Sequence, residues 1–302
     1  MNMPINPSPA VLRAGQLLWL MARRPSESYS VSELARSVGI PRATCDSILQ
    51  ALAEHGLVVR REPGLRYELG AFCIALGDVT RVINPTLSAA SREAEDLAQK
   101  LGACVAVSAR AGTETRVMSV SDWGPPLGLR PRPGQSMPLV PPFGAVLVAW
   151  SEADSVAWLS RVDDTLPGGQ MRIWEDALQA IRARGYSITV ASGQIPDFST
   201  GFSLMDAAPD VSAARRKQEE LVDLMQHSEY LVPVPEASDE VSGRVTQISA
   251  PVLDLAGKVV AALMLLGPSY DLSSREMHAL GRQVAEAAQR ASKATGSGPA
   301  GV

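Results

Sequence analysis

The sequence predicts an α+β protein with two domains, and two patterns favour that fold. Near the N-terminus, three short helical segments are followed by a pair of β-prone segments. Farther along, apolar β-prone segments occur in pairs with amphipathic helices between and after them, which is typical of antiparallel sheets covered by helices. The length of 302 residues suffices for two domains, since one domain takes roughly 100 to 200 residues.

The composition excludes several classes of protein. Hydrophobic residues make up 46% and charged residues 20%, which is ordinary globular usage and excludes a disordered or fibrous chain. The net charge of -4 excludes a histone-like basic protein. The first 80 residues, however, hold eight arginines against seven acids and no lysine. Because arginine suits bidentate contacts with phosphate and guanine, this charge balance is compatible with a DNA-binding domain joined to an acidic partner domain.

The cysteines and the apolar runs indicate the cellular compartment of the protein. Cys45, Cys73 and Cys104 lie 28 and 31 residues apart, so neither a C-x-x-C pair nor a zinc-ligand spacing occurs, and we expect no metal and no cofactor. The N-terminus lacks the pattern of a secretory signal, and the longest apolar runs, 145–150 and 259–266, are too short to span a membrane. We therefore expect a cytoplasmic protein with reduced thiols and no membrane contact.

Two helices are predicted at the start of the first domain. Apolar residues recur at helical spacing over 9–24, and Pro25 ends that run. Ser30 to Glu33 has the S-x-x-E form of a capping box, which predicts a short second helix that ends at Gly39.

A third helix and a hairpin follow. Pro41 suits a first helical turn, and a helix to about Ala53 would bury one face, formed by Cys45, Ile48, Leu49 and Leu52. The β-prone segments 57–61 and 65–69 are separated by Glu-Pro-Gly, which is strong turn chemistry. Three helices followed by a hairpin predict a winged helix-turn-helix, in which the third helix enters the major groove of DNA.

The later elements complete the α+β pattern. A break at Asn84-Pro85 separates two helices in a linker region, and a loop rich in Pro and Gly covers 125–142. The predicted elements, in chain order, are helices at 71–81 and 86–101, strands at 103–108 and 115–120, helices at 143–150 and 174–184, strands at 186–190, 245–253 and 259–266, and a final helix at 273–291.

Short segments along the chain carry a resemblance to a known family. In the first domain they are SVSELA (30–35), IPRAT (40–44), LAEHGLV (52–58) and RYELG (66–70). In the second domain they are PGQSMPL (133–139), RGY (184–186), ISAPV (248–252) and VVAAL (259–263), with Gly267-Pro268. No single segment is specific. In their order and spacing together, the chain resembles the isocitrate lyase regulator (IclR) family of bacterial transcription factors.

The resemblance implies a domain organisation and partners. It implies a winged helix-turn-helix DNA-binding domain at 1–80, a linker helix at 81–101 and a C-terminal GAF-like α/β effector-binding domain at 102–302. Such a domain binds a small molecule, usually an organic acid or an aromatic catabolite. The resemblance further implies a homodimer through the DNA-binding domains, or a homotetramer through the effector domains as well, on a palindromic operator in double-stranded DNA.

The expected DNA contacts lie on the third helix and on the hairpin. On the outward part of the third helix, short polar side chains and one arginine can reach base edges and phosphates; these positions are Pro41, Arg42, Ala43, Thr44 and Ser47. Arginines that flank the hairpin turn can neutralise phosphates whatever the sequence; these are Arg60, Arg61 and Arg66. The alternative is a solvated helix face and ordinary surface arginines. The family frequently has arginine where Ser47 stands. The base preference of the family is therefore not carried over to this chain.

The expected effector contacts are implied by the resemblance. Met137, Leu139, Phe143 and Gly144 fall in the segment that corresponds to the family's loop-to-helix wall of the pocket, and Gln247 falls at a position that the family also uses. Met264 and Leu266 align with positions where small-acid sensors of the family often carry serines. These apolar residues favour a ligand that is aromatic or fairly apolar over a two- or three-carbon acid. The alternative is that Met264 and Leu266 belong to the core.

The pocket segment and a long connection depart from the family. Where the family commonly has a His-Ala-Thr-Ala-x-Gly-Lys run, 140–146 has two prolines and no lysine, so it offers fewer donors for a carboxylate. The stretch 193–243 is longer than usual by several tens of residues, and a helix is predicted in it at about 211–227. Such a long connection is expected to be a pocket lid or an oligomer contact, with a surface decoration as the alternative.

Catalysis is not expected. The sequence has three histidines, His55, His227 and His278, and no G-x-S-x-G, Walker or H-E-x-x-H pattern. A hydrolase built on Ser203 and His227 is an alternative without support from the spacing. We therefore expect a ligand-responsive regulator, a repressor of a catabolic operon, that is not an enzyme. A DNA-binding oligomer without a small-molecule ligand is the other alternative.

Overall fold

The structure is a computed structural model, and it describes residues 8–23, 27–125, 130–161, 170–191, 216, 220, 229–231, 242–268 and 270–294. The chain forms two compact units that divide between Ile83 and Asn84. Residues up to Ile83 belong to the first unit, and 84–191 and 229–294 belong to the second. Of the predicted helix at 211–227 only residues 216 and 220 are described, and nearly all of the long connection at 193–243 lies outside the described residues.

The first unit begins with three helices, α1 (Pro9–Arg23), α2 (Val31–Val38) and α3 (Arg42–Glu54). The capping box predicted at the start of α2 is confirmed. The Glu33 N–H donates to Ser30 Oγ at 3.3 Å, and the Ser30 N–H donates to Glu33 Oε2 at 2.7 Å. These reciprocal bonds satisfy donors that the first turn of a helix leaves unpaired, so the short helix has a defined start.

An apolar core joins the three helices to the hairpin. Ile48, which is predicted on the buried face of α3, is only partly buried. The buried members of this core are Leu17, Met21, Tyr29, Leu34, Ala35, Cys45, Leu49, Leu52, Val58 and Tyr67. Because the apolar face of α3 is held in this core, its opposite face is directed away from the unit.

The hairpin forms the wing. Strands β1 (Val58–Arg61) and β2 (Arg66–Leu69) pair antiparallel, with the predicted turn between them. Tyr29 adds a bridge on the other side of β2, since its N–H donates to Tyr67 O at 3.0 Å and its carbonyl accepts from the Tyr67 N–H at 2.7 Å. The winged helix-turn-helix that the sequence predicts is therefore present.

Two helices follow the wing, α4 (Phe72–Ile83) in the first unit and α5 (Pro85–Leu101) in the second, with Asn84 between them. Residues 81–101 thus span the end of α4, Asn84 and all of α5. No side chain of α4 is buried. Helix α5, by contrast, buries a face of small residues, chiefly Ala89, Ala90, Ala94, Leu97 and Ala98.

A seven-stranded sheet forms the centre of the second unit, in the order β5-β4-β3-β10-β9-β6-β7 with every neighbouring pair antiparallel. A separate pair, β8 (Ser242–Gly243) and β11 (Leu272–Ser273), precedes the final helix. The strands of the large sheet are β3 (Cys104–Ala111), β4 (Glu114–Asp122), β5 (Ser136–Pro138), β6 (Ser187–Ala191), β7 (Glu229–Leu231), β9 (Val245–Leu253) and β10 (Val259–Leu266).

Helices cover the sheet on both faces. On one face, α5 and the final helix α9 (Ser274–Lys293) pack on apolar residues of the central strands, among them Val107, Leu263 and Ile248. On the other face lie α6 (Ala145–Val148), α7 (Glu152–Leu159) and α8 (Gln170–Arg184), whose core includes Ala262 of β10. The antiparallel sheet with its covering helices confirms the α+β fold.

Three local features differ from the sequence prediction. Strand β5 occurs inside 125–142, which is predicted as loop, because β5 is defined by its pairing with distant β4. The helix expected over 143–150 spans only Ala145–Val148. Helix α7 is not predicted at all, since Val156 on it is exposed while Trp158 is buried, and this short helix lacks a sustained apolar period.

No helix in the described ranges is both long enough and apolar enough to span a membrane.

Candidate functional site

The outward face of α3 is the first candidate site. Its buried residues, Cys45, Leu49 and Leu52, face the apolar core of the first unit. The structure brings the predicted contact residues together, with Pro41, Arg42, Ala43 and Ser47 exposed and Thr44 partly buried among them. This face also contains two residues that the sequence analysis did not single out, the partly buried Asp46 and the exposed Gln50.

Three arginines on α3 and the wing have guanidinium groups that are accessible to a phosphate. Arg42 on α3 and Arg60 on β1 are exposed, and within the described ranges neither forms a hydrogen bond or an ion pair. Arg61, as far as the described residues show, forms only an exposed pair across the wing, with its Nε 3.4 Å from Glu68 Oε2. Exposed pairs of this kind contribute little stability, so Arg61 can exchange its partner for a phosphate.

Arg66 has a different role. Its Nε donates to Ser28 Oγ at 2.9 Å and to the Ser28 carbonyl at 3.1 Å, and its Nη2 lies 3.2 Å from Glu33 Oε2. The guanidinium therefore ties the wing to the segment before α2. The hydrogen bond from the Ser30 backbone holds the pKa of Glu33 below its ordinary value, and the charge of Arg66 lowers that pKa further.

Helix α4 has a large exposed apolar surface. Its apolar side chains are between 44% and 79% exposed; they are Phe72, Ile74, Leu76, Val79, Val82 and Ile83. Soluble monomers rarely expose contiguous apolar patches of this kind, and larger ones mark interaction surfaces.

The second candidate site is the face of the large sheet opposite α5 and α9. On β9, Ser249 pairs with Met264 of β10 on one side and with Ser187 of β6 on the other. Two residues earlier, Gln247 pairs with Leu266 and with Thr189 in the same way. Because alternate residues of a strand point to the same face, these six side chains share one surface, apolar on β10 and polar on β9 and β6.

Two buried hydroxyls on this surface lack a hydrogen-bond partner among the described residues. Thr189 Oγ1 and Ser249 Oγ are buried and have no hydrogen-bond partner in the part of the chain that the structure describes. A buried polar group without a partner costs about 1–3 kcal/mol, so these hydroxyls favour a ligand that can bond to them. Ser187, Thr189 and Ser249 are not among the residues predicted from the sequence. The alternation of polar and apolar residues in 187–190 and 247–250 was the available signal.

Of the predicted apolar contacts, Leu266 belongs to a core cluster, as the alternative expects, and Met264 packs against that cluster. Leu266 is buried and packs with Cys104, Ala106 and Val117, and the partly buried Met264 packs against the same cluster. Burial raises the pKa of the Cys104 thiol to about 11, so this cysteine is an inert thiol rather than a nucleophile.

The loop before α6 is held by α7. Trp158 Nε1 donates to the Phe143 carbonyl at 2.8 Å, and Arg161 Nη1 donates to the Leu139 carbonyl at 2.9 Å. Gly144, with φ 71°, lies so close to Leu139 that a Cβ would be 2.2 Å from its Cδ1. Leu139, Phe143 and Gly144 are thus placed together, and Leu139 packs in the same cluster as Ala262 of β10.

Met137 is not placed with the polar surface. It pairs with Thr115 in the edge strand β5, and β4 and β3 lie between β5 and β10. A cleft of about 440 Å³ opens elsewhere, between α6, α7 and α8, and is lined by Trp150, Val156 and Arg182 among others. None of the predicted effector contacts lines this cleft.

The histidines show no catalytic arrangement in the described ranges. His55 is the C-terminal cap of α3, and His278 Nδ1 is 2.7 Å from the Tyr186 hydroxyl in the core of the second unit. Ser203 and His227, the pair of the hydrolase alternative, lie outside the described residues.

Known proteins resemble this chain in two respects, the sequence of its helix-turn-helix domain and the fold of nearly the whole chain. Residues 10–62 match the family model of the IclR helix-turn-helix domain. No match to a curated protein sequence was found.

Three solved structures illustrate the shared fold. An IclR transcriptional regulator from Alicyclobacillus acidocaldarius is 18% identical, with a TM-score of 0.64 over 96% of this chain and 100% of that chain. The Thermotoga maritima IclR is 17% identical, with a TM-score of 0.58 over 95% and 98%. An IclR homolog from Microbacterium hydrocarbonoxydans, in complex with 4-hydroxybenzoate, is 13% identical, with a TM-score of 0.61 over 95% and 99%.

The domain match and the shared fold confirm the resemblance drawn from the sequence. The chain carries an IclR helix-turn-helix domain and has, over nearly its whole length, the fold of the IclR transcriptional regulators.

Proposed function

We propose that this protein is a ligand-responsive repressor of a catabolic operon that binds a palindromic operator. The observation that carries the proposal is the outward face of α3, where Arg42 is exposed and has no partner among the described residues. A helix that presents an unengaged arginine and small side chains, and that follows a capped helix and a tight turn, suits insertion into a major groove.

The contacts divide into those that read bases and those that position the domain. We assign base and groove contacts to Arg42, Ala43, Thr44 and Ser47, with Pro41 at the start of the helix. Arg60 and Arg61 bind phosphates beside the groove, which adds affinity whatever the sequence. Arg66 also flanks the wing turn, but its bonds to Ser28 leave fewer donors for a phosphate.

A homodimer accounts for the exposed surface of α4. Two copies of this helix would cover each other's apolar side chains and place two α3 helices on the half-sites of a palindrome. A homotetramer would add contacts between second units.

The effector in this proposal is a small organic molecule that is aromatic or fairly apolar. Met264 and Leu266 offer an apolar floor, and Gln247, Ser249 and Thr189 offer an amide and two unsatisfied hydroxyls. Leu139, Phe143 and Gly144 form the wall above that floor, with Met137 farther along the same segment. The fold neighbour in complex with 4-hydroxybenzoate supports a ligand that combines a ring with polar groups.

Titration of labelled DNA tests operator binding. The full chain is titrated against the DNA upstream of its own gene and against random DNA of equal length, at fixed salt and with competitor DNA. We expect one region to bind at least about 1,000-fold more tightly than random DNA. Equal affinity for all fragments, with or without the effector candidates named below, would contradict the proposal.

Thermal unfolding tests the effector. A ligand that binds only the native state raises the apparent stability, by about 2.7 kcal/mol at 100 times its Kd. We expect a rise in Tm with at least one aromatic acid, 4-hydroxybenzoate included, and none with two- or three-carbon acids. No rise across the whole panel would support a DNA-binding oligomer without a ligand.

A further inference from the structure

Asp46 and Gln50 form a hydrogen-bonded pair on the outward face of α3. They lie one helical turn apart, and Gln50 Nε2 donates to Asp46 Oδ2 at 3.0 Å. Together with Arg42 they form one row, since positions four apart on a helix lie on the same side. Within the described ranges, neither side chain has another hydrogen bond or an ion pair. The pair is therefore free to meet whatever α3 contacts.

The bond to Asp46 determines which way the amide of Gln50 points. A carboxylate only accepts hydrogen bonds, so the Nε2 end must face Asp46 and the Oε1 end must face away. After this bond, Gln50 retains one N–H donor and its carbonyl oxygen, side by side. Adenine presents the matching pair in the major groove, with N7 as acceptor and the N6 amino group as donor.

We propose that Gln50 reads an adenine in each operator half-site and that Asp46 positions its amide to do so. This inference rests on the proposed binding of DNA by α3. Arg42 and Gln50 are eight residues apart, about 12 Å along the helix axis, so they reach different base pairs of the same half-site. Asp46 is a positioning residue, and its charge also opposes binding to phosphates regardless of sequence.

Selection from a random DNA library, read out by sequencing, tests the inference. The full chain and three variants, Gln50→Ala, Asp46→Ala and Asp46→Asn, are each used to select sites at the same salt concentration. Asp46→Asn is the matched control, because its side-chain oxygen can accept the same hydrogen bond without the charge. Circular dichroism of each variant establishes that the fold is retained.

We expect the unaltered protein to select a palindrome with one strongly preferred adenine in each half-site. Gln50→Ala should reduce that preference by about 5-fold to 150-fold and leave the other positions unchanged. Asp46→Ala should weaken the same preference by a smaller factor. Asp46→Asn should keep the preference and bind all DNA more tightly.

Three results would overturn the inference. If Gln50→Ala selects the same sites as the unaltered protein, Gln50 does not read a base. If Gln50→Ala loses the adenine preference but Asp46→Ala keeps it in full, Asp46 does not position Gln50. If the unaltered protein selects no sites at all, the proposed function fails and this inference fails with it, so the two failures are distinguishable.

Discussion

The Nε of Arg66, on the wing, donates to Ser28 Oγ at 2.9 Å, across 38 positions of the chain. This contact joins the wing to the residues that begin α2, where Glu33 closes the capping box and also approaches Arg66. The wing and the helix-turn-helix are therefore held by one charged group as well as by the apolar core.

Replacing Arg66 with Ala should loosen the wing. We expect the free energy of unfolding to fall by about 1–2 kcal/mol, because several hydrogen bonds are lost at a partly exposed site. Urea denaturation followed by circular dichroism measures the change. The matched control is Arg60→Ala on the same hairpin, which should leave stability within about 0.5 kcal/mol and weaken DNA binding uniformly across sequences. Equal stability of the two variants would contradict the anchoring role of Arg66.

Glu33 should make the first domain sensitive to acid. Its pKa in the folded state lies below the ordinary value of 4.5. A carboxyl with a lowered folded pKa contributes stability above its unfolded pKa, and this contribution disappears as the pH falls through the folded pKa. The stability advantage over Glu33→Gln should thus be full at neutral pH and decline below about pH 4.5. Urea denaturation of both proteins at several pH values measures it, and an advantage that grows in acid would be the contrary result.

Replacing Arg42 with Ala should weaken operator binding by about 5-fold to 150-fold at fixed salt, since a bidentate arginine contributes about 1–3 kcal/mol of discrimination. Anisotropy titration measures the loss. Arg92→Ala removes the same charge from the exposed side of α5, in the second unit, and should leave affinity nearly unchanged. Loss of affinity to the same extent in both variants would mean that net charge alone is responsible.

Ser249→Ala should weaken ligand binding without lowering the stability of the protein. Removing a buried hydroxyl that has no partner among the described residues should leave the unfolding free energy unchanged or raise it by about 1 kcal/mol. The effector-induced rise in Tm should become smaller, because one polar contact to the ligand is lost. Thermal unfolding with and without the effector measures both quantities. A variant that is less stable and binds the effector equally well would assign Ser249 to the core.

Trp158→Phe should release the loop before α6. The buried Phe143 carbonyl would lose its donor at 2.8 Å, and we expect a loss of about 1–3 kcal/mol in unfolding free energy. Trp150→Phe is the matched control, since Trp150 also donates to a carbonyl, that of Val146 at 3.1 Å, but is 39% exposed. We expect the control to change stability by about 0.5 kcal/mol or less. Similar losses in both variants would argue against a special role of Trp158.

Local patterns in the sequence predict most of the elements. The capping box at Ser30, the Glu-Pro-Gly turn of the wing and the apolar period of α3 each depend on residues a few positions apart. Neighbouring positions of the sequence therefore suffice to predict them. The same period predicts which side of α3 is exposed. The pair of Asp46 and Gln50 is also local, since the two residues are four positions apart, and helical spacing alone predicts that they are neighbours.

Contacts between distant segments decided the rest. Thr189 and Ser249 share a surface only because β6 pairs with β9 in one register, and Arg66 reaches Ser28 only once the wing has packed beside α2. Strand β5 is likewise defined by its partner β4. The sequence by itself therefore determined most of the helices, the wing and the outward face of α3, because short-range propensity and periodicity specify them. Only the tertiary structure decided which side chains of separate strands form the polar surface of β9 and β6, because strand register depends on packing across the whole sheet.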